Sequence, residues 1–273
     1  MKRIVYILLI STLLVSCGEY QKALKSEDIA EKFKVGTELY EAEKWNKAHR
    51  LFAQIVPQYR GKPQAEKLMY MYSMCSYKME DYYIAGYQFE RFKDAYPKSE
   101  KAEEAFFLSA KSYYQLSPVY TKEQKETKEA IEKLQLFINQ YPDSEYLAES
   151  NTLIRELDFK LEQKAFAIAK QYNKISDYKA SVKSFNNFLL EFPGTTLRKD
   201  AMYSRFEAAY NLALNSIESK KDERIESAIS YYNAFKKSYP QSEYLADADI
   251  KKADLEVMKS AVSIEEETTN TKS

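Results

Sequence analysis

The chain has 273 residues, and its 41 Lys and Arg balance 41 Asp and Glu, so no overall basic field points to nucleic acid. A single histidine, His49, excludes sites built on several histidines and leaves only one candidate base for a catalytic triad. Five Gly, seven Pro and abundant Lys, Glu, Ala and Leu predict few breaks and long helices, and no segment alternates with the period of a strand.

The first residues read MKRIVYILLISTLLVSCGEY. Lys2 and Arg3 form a positive start, and the apolar run Ile4 to Val15 is shorter than the about 20 residues that span a bilayer. Leu14-Val15-Ser16-Cys17 resembles the lipobox of bacterial lipoproteins. Residues 1–16 are therefore expected to be a cleaved signal, and Cys17 the lipidated first residue of the mature protein. Loss of Lys2 and Arg3 takes the net charge from zero to −2. With Cys17 acylated, Cys75 has no partner, so no disulfide framework is expected, and Cys75 reads as a small core residue. Gly18, not Asp, follows the cysteine, which points to the outer membrane and its periplasmic side. Residues 17–27 read as a lipidated linker.

Residues 28–258 repeat. One phrase recurs as Tyr96-Pro97-Lys98-Ser99, Tyr141-Pro142-Asp143-Ser144, Phe192-Pro193-Gly194-Thr195 and Tyr239-Pro240-Gln241-Ser242. Proline ends a helix, and the Ser or Thr two residues on is suited to cap the next. Eleven residues before each aromatic stands Ala85, Ala130, Ser181 or Ala228, followed at spacings of four and three by Phe89 and Phe92, Leu134 and Phe137, Phe185 and Phe188, or Tyr232 and Phe235. Ala48, Phe52, Ile55 and Tyr59 form an earlier copy without the proline. These spacings share one helical face, on which the small residue permits close approach. The pattern resembles the second helix of a tetratricopeptide repeat. The matching first helices place a small residue at Gly36, Ser73, Ala110 and Ala169, and the register of the fifth, near 197–216, is open. The expected fold is all-α, a superhelical solenoid of about five tetratricopeptide-like helix hairpins. Residues 259–273 turn polar and acidic and read as a disordered tail.

A stack of hairpins offers an extended concave surface, lined in that repeat family by first helices. One such position carries Phe33, Tyr70, Phe107 and Phe166, and seven residues on the same face carries Tyr40, Tyr77 and Tyr114. Aromatic rings give large contact area at small entropic cost, so these are candidate polypeptide-binding residues, although stripes of this kind also serve packing. An enzyme is poorly supported. There is no glycine-rich phosphate loop and no clustered Cys pair, the carboxylates alternate with Lys as on a solvated face, and no catalytic residue, metal site or cofactor is assigned.

A lipobox followed by five such repeats with Tyr-Pro-x-Ser turns resembles the BamD family, lipoproteins of the β-barrel assembly machinery of Gram-negative outer membranes. Three stretches carry the resemblance: Trp45-Asn46-Lys47-Ala48 at the entry to a second helix, an insertion at about Leu116 to Thr127 in the third repeat, and the turn Phe192 to Ala201. The resemblance implies a non-catalytic scaffold that binds unfolded outer-membrane proteins and docks on the POTRA domains of the barrel subunit. At that turn the family contributes a basic contact, for which Lys199 takes the matching place with Arg198 beside it. The partners implied are that subunit, unfolded outer-membrane proteins and, through the lipid, the membrane, but no nucleic acid. A periplasmic tetratricopeptide lipoprotein serving envelope maintenance or division shares the fold and anchor, and is the alternative. A carbohydrate-capturing lipoprotein would be longer and richer in Trp.

Overall fold

A computed structural model describes residues 18–270, so the signal and Cys17 lie outside the described residues. Every regular element described is helical. A short helix α1 covers residues 18–25. It is followed by α2 (Ile29–Glu41), α3 (Trp45–Ile55) with a 3₁₀ turn at Val56–Tyr59, α4 (Ala65–Lys78), α5 (Tyr82–Ala95), α6 (Ala102–Leu116), α7 (Lys125–Gln140), α8 (Leu147–Lys174), α9 (Tyr178–Glu191), α10 (Arg198–Leu214), α11 (Glu218–Ser238) and α12 (Leu245–Asn270). The described chain forms two compact units that divide after Asp158, within α8.

In each unit consecutive helices pack as antiparallel hairpins, and the repeated small-and-aromatic face is what they bury. Ala48, Phe52 and Ile55 on α3, Ala85, Phe89 and Phe92 on α5, and Ala130, Leu134 and Phe137 on α7 form the first unit's interior. Ser181, Phe185 and Phe188 on α9 and Ala228, Tyr232 and Phe235 on α11 do the same in the second. Each aromatic ring so enclosed contributes about 1.5–3 kcal/mol. The small first-helix residues Gly36, Ser73, Ala110 and Ala169 are buried at these contacts, and Ser181 Oγ donates to the Ala169 carbonyl at 2.9 Å.

Three hairpins close through one turn. Glu43, Glu80 and Ser176 have left-handed φ values of 55°, 62° and 65°. The next N–H, of Lys44, Asp81 or Asp177, donates to Leu39, Ser76 or Tyr172 at 2.8, 3.0 and 2.9 Å, which closes the end of the first helix. Asp81 and Asp177 then cap α5 and α9. The third hairpin uses the expected insertion instead. There Gln124, almost fully buried, donates from Nε2 to the Val119 and Lys122 carbonyls at 3.0 and 2.9 Å and accepts from Thr127 Oγ1 at 2.7 Å.

The Tyr-Pro-x-Ser phrase connects one hairpin to the next, with one refinement. The hydroxyls of Ser99, Ser144, Thr195 and Ser242 accept from the N–H two residues on, at 3.0 to 3.3 Å, so they close the turn before the helix; the helix itself begins three residues after the Ser or Thr. Two of these turns are nearly the same sequence: residues 141–148 read YPDSEYLA and residues 239–246 read YPQSEYLA. The first opens α8, which buries Leu157 in the first unit, and the second opens α12, which buries Leu255 in the second.

Both ends of the repeat domain differ from the sequence expectation. Residues 18–25 are a helix, not a free linker: Tyr20 and Ala23 pack into the first core, and buried Lys32 donates to the Leu24 carbonyl at 3.1 Å. At the other end α12 runs to Asn270, through most of the segment read as a disordered tail. No Gly or Pro interrupts it after Pro240, and the Lys259–Glu226 ion pair at 2.7 Å fastens it to α11 just beyond the last buried turn.

Candidate functional site

The two aromatic rows fall on the first helices, but their rings sit at different depths. Phe33 is half-buried and stacks on Tyr59 at 5.4 Å between centroids. Tyr70 packs edge-on against Phe89 and Phe92, with the Lys101 ammonium 5.5 Å from its ring. Burial, and then Glu104, push its phenol pKa upward. Phe107 is a correction: at 2% exposure it is a core ring, covered by Tyr146 in a parallel stack at 4.5 Å and packed on Phe137. The next turn supplies the lid, so Tyr146, not Phe107, meets solvent there. In the second unit Phe166 packs on Phe185 and Phe188 and is half-buried.

The second row is uniformly half-buried. Tyr40 meets Trp45 edge-on at 5.2 Å, and burial raises its pKa to about 12. Tyr77 lies between Tyr82 and Phe89, and burial again raises its pKa. Tyr114 donates to Glu156 at 2.5 Å, and this bond chiefly holds its pKa up at about 12. These phenols are neutral donors across the physiological range, with an apolar body fixed by packing and a polar tip.

The fifth first helix, whose register the sequence left open, brings Tyr203 and Tyr210 to the same two positions. Tyr203 stacks on Tyr244 at 4.4 Å and donates to Asp247, and Tyr210 donates to Asp254 at 3.0 Å. The first unit repeats this set as Phe107 on Tyr146, Lys111 paired with Glu149 at 2.7 Å, and Tyr114 bonded to Glu156. The matching turns at Pro142 and Pro240 were the available signal. Phe206 obscured it, because it occupies the place that a small residue holds in the other copies, yet is fully buried.

The two cations at the 192–201 turn are both engaged within the chain. Lys199 Nζ donates to both carboxylate oxygens of Glu243, at 2.8 and 3.0 Å, and lies 5.7 Å from the Tyr244 ring centroid. Arg198 folds back, its Nη1 donating to the Leu189 and Pro193 carbonyls at 3.4 Å each. Neither group stands free, although the Lys199–Glu243 pair is solvent-accessible.

His49 stacks on Tyr72 at 4.6 Å, and burial lowers its pKa. Cys75 is enclosed in the first core, where burial pushes the thiol up to about 12, a poor nucleophile at neutral pH. Among the described residues no group of three or more His, Cys, Asp or Glu is arranged to hold a metal ion. No helix among them is long and apolar enough to cross a membrane.

Residues 25–225 match the family model described as YfiO, outer membrane lipoprotein. The chain belongs to that family. Its similarity to curated members is broad and shallow. It is 24% identical over 216 residues to the outer membrane protein assembly factor BamD of Caulobacter vibrioides, covering 79% of this chain and 68% of that one. It is 26% identical over 223 residues to the protein of the same name from Rickettsia prowazekii, covering 81% and 84%. A crystal structure of a TPR repeats protein from Bacteroides fragilis aligns with 85% of this chain and all of its own, at 13% identity and a TM-score of 0.42. The matched span of the YfiO family takes in α2 to α10 and thus all the aromatic first-helix positions, together with Arg198 and Lys199.

Proposed function

We propose that the chain is a non-catalytic scaffold for assembly of outer-membrane proteins, held by a lipid on Cys17 at the periplasmic side of the outer membrane. The family match over residues 25–225 carries this reading, supported by relatives named as assembly factors. Two acyl chains or more give stable anchoring at about 0.8 kcal/mol per buried methylene, so no membrane-spanning helix is required.

In this reading unfolded outer-membrane protein binds along the half-buried rings Phe33, Tyr40, Tyr70, Tyr77 and Tyr114. Phe107 supports the row from the core and Tyr146 takes its contact role. Fixed rings with neutral phenol tips suit an extended chain, whose apolar side chains meet the ring faces and whose carbonyls accept from the hydroxyls.

Docking on a POTRA-bearing barrel subunit is assigned to Arg198 and Lys199. Their present bonds are no obstacle. An exposed ion pair such as Lys199–Glu243 is screened by water and salt and can be exchanged for a partner's carboxylate. The test is a gentle detergent pull-down from native membranes with the wild-type chain and with Arg198→Glu/Lys199→Glu. A POTRA-bearing β-barrel protein should co-purify with the first and be depleted with the second. Its absence from the wild-type pull-down would refute the assembly role, and undiminished recovery with the variant would refute the assignment of these two residues.

A further inference from the structure

The fold removes the slack from the tether. A free segment at residues 17–27 would let the body stand up to about 35 Å from its anchor. Instead α1 covers residues 18–25, directly after Cys17, and is fixed to the first unit along its length. Tyr20 and Ala23 are 5% and 0% exposed in the first core, Lys22 pairs with Glu31 at 3.3 Å, and the Leu24 carbonyl accepts from Lys32. A lipid on Cys17 therefore holds the first unit itself, without a leash between them.

Which end of that unit is held follows from the direction of α1. Its last turn meets Lys32, in the first turn of α2. Its first turn meets Lys47, in the first turn of α3, whose ammonium lies 5.2 Å from the Tyr20 ring centroid. Tyr20 is only about 4.5 Å of helix from the anchor. The start of α1 thus sits at the end where the turns within hairpins lie. Trp45 opens α3 there, with the Lys78 ammonium 5.9 Å from its ring centroid. Tyr83, in the first turn of α5, lines one hollow with Pro118 of the insertion.

The two ends of the unit differ in chemistry. Among the described residues of the first unit, two large apolar side chains are more than 60% exposed, Tyr83 at 71% and Val119 at 61%, and both lie at the tethered end. The sole tryptophan, Trp45, is there too, half-buried. At the opposite end the turns between hairpins present Lys62, Lys98, Glu100, Asp143 and Glu145. Rings crossed by lysine stems suit a headgroup layer, where one end of a side chain is apolar and the other wet. Glu43, Glu80 and Asp81 at the tethered end are matched in number by Lys44, Lys47 and Lys78, so no excess charge repels a lipid surface. We infer that the tethered end of the first unit rests on the lipid headgroup surface, with Val119 and Tyr83 entering the interface. This rests on the reading of Cys17 as lipidated. It gives the membrane contact to protein side chains as well as to acyl chains, and leaves the Tyr-Pro-x-Ser end of the unit to the periplasm.

The test uses the full mature chain in phosphatidylethanolamine–phosphatidylglycerol vesicles, its acylation checked by mass spectrometry. A nitroxide is attached at Val119→Cys or, as the control, at Lys98→Cys. Cys75 is fully buried and Cys17 is blocked by its thioether, so each label is unique. Collision with a water-soluble nickel chelate should be several-fold slower at 119 than at 98. A spacer of about twelve Gly and Ser residues between Cys17 and Gly18, worth roughly 20 Å, should remove the difference. Equal collision rates at the two sites in the acylated chain overturn the proposal. So does a difference that survives the spacer, because shielding of residue 119 would then not depend on the tether. An unacylated chain would instead refute the reading of Cys17 itself.

Discussion

Gly36 offers a sharp test of how the first unit is packed. A Cβ built there would lie 2.6 Å from Phe52 Cε1 and 3.0 Å from Cδ1, inside any real contact. Phe52 is fully buried between Ala48 and Ile55 and cannot swing aside. Overpacking of this kind costs about 1–3 kcal/mol. Alanine recovers about 1 kcal/mol of helix propensity over glycine. Gly36→Ala should therefore be destabilising by up to about 2 kcal/mol, a drop of up to roughly 8 °C for a unit of this size. Gly86 is the internal control. It is also within a helix, but its Cβ would meet Tyr113 Cε2 at 3.1 Å, and that half-exposed ring can give by tenths of an ångström. Gly86→Ala should be neutral or slightly stabilising. Thermal melts of both variants by circular dichroism decide the matter. If both rise together, propensity governs and close approach at Gly36 is not what holds α2 on α3.

Tyr40→Ala and Tyr77→Ala should weaken binding of unfolded outer-membrane protein segments several-fold while costing only about 0.5–1.5 kcal/mol each in lost ring contact; fluorescence anisotropy beside a melt reads both, and a loss of folding at unchanged affinity per folded molecule would assign the rings to packing. Stability should fall in alkali. The Cys75 thiol and Tyr40 phenol, ordinarily at 9.0 and 10.0, are both held up at about 12, so the unfolded chain releases these protons first. Their contribution is whole below pH 9 and is lost as pH rises toward 12, by about 1.4 kcal/mol per pH unit for each group. Urea titrations of Cys75→Ala from pH 8 to about 11 should show a shallower decline than wild type. Gln124→Ala should strand the Val119 and Lys122 carbonyls at a cost of about 1–3 kcal/mol and open residues 117–123 to limited proteolysis; an unchanged digestion pattern would show that the insertion is held by other means.

Much of the hairpin architecture was legible because the same physical need recurs. A small residue, then large apolar residues at four and three, fixes which face is buried, and all five second helices obey it, four of them followed by a turn with proline. What escaped the sequence depends on distant partners. Phe107 looks like its row-mates until Tyr146, from the next turn, is laid over it. Lys199 reads as a free surface cation until Glu243, 44 residues on, takes both its hydrogen bonds. Phe206 hid the fifth register because a bulky ring can fill a place that other copies reserve for close approach. The helix through 259–270 was missed because composition alone does not report that α12 is already nucleated by Ala248 and Leu255.

The left-handed turns at Glu43, Glu80 and Ser176 bear on how a lineage of such proteins can change length. Each fixes the distance from the first-helix small residue to its partner at twelve residues, as in Gly36 to Ala48, Ser73 to Ala85 and Ala169 to Ser181. One residue added there rotates the second helix by about 100° and turns its aromatic face out of the core. The third hairpin escapes this rule, with twenty residues between Ala110 and Ala130 and an exposed tip at Val119. Insertions, epitopes or reporter groups are accordingly best accommodated around 119–121, while the tight hairpins admit substitution but not a change of length.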